Sequence, residues 1–120
     1  MEDANKRSSP RFSLRLKGGE GGYHAEVAEC GLVFCELQDI SSGGLRGKLA
    51  DKTIVGMPIR PGQEIELRSF MSDKFDFVEG KTGQVAWTID SARQFGIRFK
   101  DALPKDEVEA LIFHFISIFS

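Results

Sequence analysis

Two short groups of polar residues have the types and spacing for ligand chemistry. Arg7 and Arg11 stand four apart in "RSSPR", with Lys6 just before them. Asp39 and Ser41 stand two apart in "QDISSGGLRG", ahead of the adjacent Gly43 and Gly44. A guanidinium is a planar fork that bonds phosphate oxygens bidentately, while an ammonium such as Lys6 keeps the charge without the fork. An ionised carboxylate only accepts hydrogen bonds, and a hydroxyl does both. Glycines let the backbone turn sharply and leave no Cβ in a ligand's way. A hairpin turn explains the glycines, but not an acid and a hydroxyl placed two residues apart ahead of them.

Charge narrows the ligand. Residues 6 to 17 carry Lys6, Arg7, Arg11, Arg15 and Lys17 with no acid among them, yet the chain has a net charge of −2. A locally basic end on a mildly acidic protein suits a small anion better than a polymer. The strand-like segments carry Glu26, Glu29, Glu36, Glu64, Glu66, Asp76 and Glu79. A barrel that binds single-stranded nucleic acid needs basic strands with exposed aromatics instead. Cys30 and Cys35 lack CxxC spacing, and His24 and His114 are far apart, so no zinc site is expected and the thiols read as free, as in a cytoplasmic protein. "MEDANKRSSP" has no apolar segment of a signal peptide, and no run has the length of a membrane helix. No nucleophile–base pair, metal cluster or G-x-x-x-x-G-K is present, so no enzyme is expected.

The elements that must position these groups are mostly strands. At 120 residues, with 41% hydrophobic and 28% charged residues, the chain reads as one globular domain. Residues 1 to 11 form a flexible polar segment, 12 to 101 a barrel and 104 to 119 a closing helix. "RFSLRLK" alternates, with Phe12, Leu14 and Leu16 on one face. "GGEGG" is a turn. Tyr23 to Glu29 and Leu32 to Leu37 follow, interrupted at Cys30-Gly31 by a bend or bulge. Leu45 to Leu49, "QEIELRSF" with Ile65 and Leu67 inward, Lys74 to Val78, Gly83 to Ile89 and Phe95 to Lys100 complete the series. Short strands between Gly- and Pro-bearing turns imply an antiparallel barrel or sandwich. The closing segment has Pro104 at the first helical position and acids in the first turn. Val108, Leu111, Ile112, Phe115 and Phe119 then recur at helical spacing.

R-x-x-x-R followed by D-x-S-x-x-G resembles the PilZ domain, a bacterial receptor module for the second messenger cyclic di-GMP. "PGQEIEL", "GQVAW" and "FGIRFKD" are similar to the family's later strands, so the likeness spans nearly the whole chain. It implies an all-β-dominated fold, a six-stranded antiparallel barrel with a C-terminal helix. It also implies cyclic di-GMP as ligand, no cofactor, and signalling to an effector protein in trans. Arg7 and Arg11 would clamp phosphate or guanine, and Asp39 would accept from guanine's N1–H and N2–H₂ edge. Ser41 would add a small donor and acceptor. Gly43 and Gly44 would let the nucleotide approach, and Trp87 would stack on a base. Residues 1 to 11 would fold over the ligand on binding.

Each of these residues has a plainer alternative. Arg7 and Arg11 are also what a solvated tail carries, and Asp39 with Ser41 could simply stabilise a turn. Trp87 shares a strand face with Val85 and Ile89, which suits a core or half-core position equally well. A PilZ-fold interaction module that binds no nucleotide is the alternative function. On the closing helix, Phe113, Ile116 and Ile118 exceed the stripe needed to cover a barrel end. They are either tucked under loops or available to a partner, including a second copy in a homodimer.

Overall fold

A computed structural model of the chain describes residues 12–13, 20–50 and 58–116. The described elements are strands β1 (Phe12–Ser13), β2 (Gly22–Val27), β3 (Gly31–Ile40), β4 (Gly44–Leu49), β5 (Glu64–Phe70), β6 (Thr82–Ile89) and β7 (Gln94–Phe99), then helix α1 (Lys105–Ile116). The sheet runs β1-β3-β2-β5-β6-β7-β4, every described pairing is antiparallel, and β4 pairs back onto β3. Strands β2 to β7 therefore close into a six-stranded barrel. β3 is long enough to hold three neighbours: β2 along 31–36, β4 along 35–40 and β1 at 39–40.

Alternation in the sequence sets most of the core. Ile65 and Leu67 are buried, while Glu64 and Arg68 are exposed, as the period-two pattern of β5 requires. Inward side chains from every barrel strand meet Leu103, Val108, Leu111 and Phe115, so α1 seals the interior. The first helical bond runs from Val108 N–H to the Pro104 carbonyl (3.1 Å), so Pro104 caps the helix just ahead of its first turn. Residues 117–120 and the side chain of Ile116 lie outside the described set, and with them Phe119 and Ile118.

Three expectations from the sequence are corrected. Cys30-Gly31 does not interrupt a strand. It belongs to the β2–β3 hairpin turn, in which Cys30 N–H donates to the Val27 carbonyl (2.9 Å) and Glu29 and Gly31 take positive φ. β3 does not stop at Leu37 but continues through Asp39 to Ile40. Lys74 to Val78 is no strand: Asp73–Val78 is a 3-10 segment capped by Ser72, whose hydroxyl accepts from Lys74 N–H at 3.2 Å. Phe75 and Phe77 imitate a period of two, but the buried residues are Phe75 and Val78, three apart, as a 3-10 turn requires.

Phe75 then links helix to barrel. Its ring stacks on Phe115 (5.7 Å between centroids) and on Phe70 (5.3 Å), which stacks on Tyr23 (4.9 Å). Tyr23 lies opposite Cys35 in the β2–β3 ladder, and both are fully buried. Among the described residues the Tyr23 hydroxyl makes no well-formed hydrogen bond. Burial, with the Cys35 thiol beside it, pushes that hydroxyl well above its usual 10.0, and burial pushes Cys35 up to about 12.

Two outcomes follow from this core. Phe75→Ala should cost about 3–5 kcal/mol in urea unfolding, because it breaks the stack and leaves a cavity. Phe113→Ser should stay within about 0.5 kcal/mol, since Phe113 is 72% exposed. Equal losses would put Phe113 in the core, and a fall in solution mass for Phe113→Ser alone would mark it as an interface. Separately, the folded chain keeps Tyr23 and Cys35 protonated while the unfolded chain releases these protons above about pH 9. Stability should therefore be full below that pH and decline as pH rises toward about 12. Urea midpoints at rising pH check this, and a flat profile in that window would contradict it.

Candidate functional site

The turn between β3 and β4, Ser41 to Gly43, is fastened on three sides. Ser41 N–H and its hydroxyl both donate to the Gly44 carbonyl, at 2.8 and 3.3 Å. Phe99 N–H donates to the Gly43 carbonyl (2.9 Å), and Leu103 N–H to that of Ser42 (2.7 Å). The corner is thus tied to the end of β7 and to the residues leading into α1. Gly44 is required for closeness rather than for turning: its φ is not positive, but a Cβ there would run into the Ile97 carbonyl on β7.

One lateral row of the sheet collects several of the residues singled out in the sequence. Ser13 on β1 pairs with Asp39 on β3, Asp39 with Arg46 on β4, Arg46 with Gly96 on β7, and Gly96 with Trp87 on β6. The row lies on the outer face. Its neighbour Gly47 points inward, where a Cβ would meet the rings of Tyr23 and Phe95, so Arg46 points out.

Two β-bulges put Asp39 and Trp87 on that face. Leu37 pairs with Gly47 and faces the core, and Asp39 would follow it inward if the strand alternated strictly. A register shift leaves Gln38 as the extra residue, so Asp39 turns outward opposite Arg46. On β6, Val85 pairs inward with Ile97, Ala86 is extra, and Trp87 emerges outside opposite Gly96. Trp87 therefore does not share a face with Val85. Its half-buried indole lies across Gly96, filling the place a Cβ would take there.

Asp39 is buried for a residue on an outer face. Its side chain is 8% exposed, and its Oδ2 lies 3.0 Å from Arg46 Nε. The contact is an ion pair rather than an aligned hydrogen bond, because the buried Nε–H does not point at the oxygen. Ser41 is buried as well and serves the turn. Gly43 is half-buried. Lys6, Arg7 and Arg11 lie outside the described residues. The chain leaves Arg11 directly into Phe12, however, which pairs with Ile40, and Ser13 pairs with Asp39. Sequence reading missed Arg46 and Gly96. Arg46 was within reach, since counting outward from the turn pairs Ile40 with Leu45 and Asp39 with Arg46.

A groove of about 700 Å³ elsewhere on the barrel is lined by Glu26, Glu64 and Glu66 against Arg98 and Lys100. Asp39, Ser41 and Trp87 do not line it, and three carboxylates repel a phosphate ligand. Among the described residues, no helix is long and apolar enough to cross a membrane.

Trp87 is the sole tryptophan, so its emission reports on the row directly. Gly96→Ala should displace the indole and shift its fluorescence to longer wavelength, with far-ultraviolet circular dichroism of the barrel retained. An unchanged spectrum would mean that the indole does not depend on the bare Gly96 surface.

Comparison with known families matches residues 5–117 to the PilZ domain. A search of curated proteins gave no match. The match covers both motifs, all the described strands and α1, and the closed barrel with one C-terminal helix is the architecture expected from the sequence. The chain belongs to the PilZ domain family.

Proposed function

We propose that this protein is a receptor for cyclic di-GMP that passes the signal to a partner protein, with the nucleotide bound over the outer row beside the β3–β4 corner. Support comes chiefly from the β1–β3 pairing. It joins the strand that directly follows R-x-x-x-R to Asp39, which supports a site shared by the two motifs. Asp39 accepts from a guanine's N1–H and N2–H₂ edge, and Arg7 and Arg11 clamp phosphate or the O6/N7 edge. Trp87, held over Gly96, offers its ring to a base. Ser41 acts by closing the turn. Ordering residues 1 to 11 over the ligand costs entropy, which charge-assisted bonds offset, and the closed segment forms part of the surface a partner reads.

One observation favours a second reading. Asp39 is held by Arg46, and Ser41 is held by the Gly44 carbonyl. In that case the motif serves the fold, and the domain docks a protein without nucleotide.

Calorimetry separates the two. Cyclic di-GMP should bind, and GMP should bind far more weakly because it cannot engage both motifs. Losing one charge-assisted partner costs about 1.5–3 kcal/mol, so Arg11→Ala or Asp39→Ala should weaken binding about ten- to a hundredfold. Absence of heat with the wild-type protein would favour the docking module.

A further inference from the structure

We infer that Arg46, which belongs to neither motif, is a positioning residue of this site. It holds the Asp39 carboxylate outward in one direction, and so sets the preference for guanine over other purines. The inference rests on the receptor reading and adds a residue and a specificity mechanism to it.

A carboxylate with a side chain 8% exposed is costly to bury without an opposite charge nearby. Arg46 supplies that charge from the adjacent strand, with its Nε at 3.0 Å from Oδ2. The register makes the contact obligatory. The bulge at Gln38 turns Asp39 out of the core, and the residue it then faces across the ladder is Arg46. On its other side Arg46 faces Gly96, which carries no side chain of its own.

Only the ionised form suits guanine. The N1–H and N2–H₂ edge presents donors alone, and a carboxylate accepts at both oxygens, whereas a protonated acid turns one oxygen into a donor. A carboxylate has about four acceptor sites, so the contact from Arg46 does not exhaust it. Without Arg46 the carboxylate loses the contact that fixes its direction across the ladder. That change weakens the guanine contacts and leaves those made to the phosphates by other residues.

The experiment compares cyclic di-GMP with cyclic di-IMP, whose hypoxanthine bases lack the 2-amino group, by calorimetry on the full chain. Wild type should prefer cyclic di-GMP by about tenfold or more, one charge-assisted bond's worth. Arg46→Gln, close in size and neutral, should reduce that preference to within about twofold of none, with cyclic di-IMP affinity changed far less. Arg46→Lys keeps the charge and should retain most of the preference, which guards against a folding failure in the glutamine variant. If Arg46→Gln weakens both ligands equally and keeps their ratio, Arg46 touches the ligand directly and the inference is wrong. Wild-type discrimination in Arg46→Gln would also overturn it. Failure of the wild-type protein to bind either nucleotide would remove the receptor reading itself, and this inference with it.

Discussion

Closing six short strands into a barrel forces neighbouring backbones together and fixes their stagger, and the site depends on how that constraint is met. The closing seam is β3 against β4, with β4 held in turn by β7. Where the walls come closest there is no room for a side chain. A Cβ at Gly44 would strike the Ile97 carbonyl, and one at Gly83 would strike that of Arg98. The stagger is absorbed by register shifts, among them those at Gln38 and Ala86. Each shift reverses which face the following residues occupy. Asp39 and Trp87 reach the outer row through the same adjustments that let the barrel close.

The corner carrying the D-x-S-x-x-G motif is rigid for related reasons. Its carbonyls are taken by Phe99, Leu103 and Ser41 itself, so the backbone has few ways to move without breaking bonds to β7 or to the entry of α1. Buried backbone groups that lose a partner are costly, which keeps such a corner in one conformation. Ser41 illustrates how one residue can serve fold and site at once: by closing the turn it fixes where Asp39 stands two residues earlier. The aromatic stack from Tyr23 through Phe70 and Phe75 to Phe115 anchors α1 on the opposite flank of the same core. Tyr23 sits beneath Gly47, the neighbour of Arg46, so the stack packs against the strand that carries Arg46.

The Asp39–Arg46 pair contrasts with the other ion pairs described. Arg68 bridges Glu26 and Glu66 with all three side chains about half exposed, an arrangement that contributes little to stability in water. Asp39 is nearly covered, so its contact with Arg46 fixes a direction rather than adding a few tenths of a kcal/mol. A buried pair is seldom kept for stability alone.

The class of fold and the residues of the candidate site are legible in the chain alone. Period-two alternation in β5 and β7, glycines at the turns and a helical stripe ending in Phe115 are local patterns, each written in a few consecutive residues. The two motifs are local in the same sense, so their residue types and spacing were legible before any contact was known. Which way the important side chains face is set by contacts between strands. Alternation carried Trp87 inward with Val85, because a bulge is a mismatch between two strands and has no signature in either one alone. Phe75 and Phe77 misled for the same reason: two aromatics two apart fit a strand or a 3-10 turn equally, and the core volume between Phe70 and Phe115 selects the turn. Spacing along the chain fixes what a segment can form, while pairing across the barrel fixes what each residue meets.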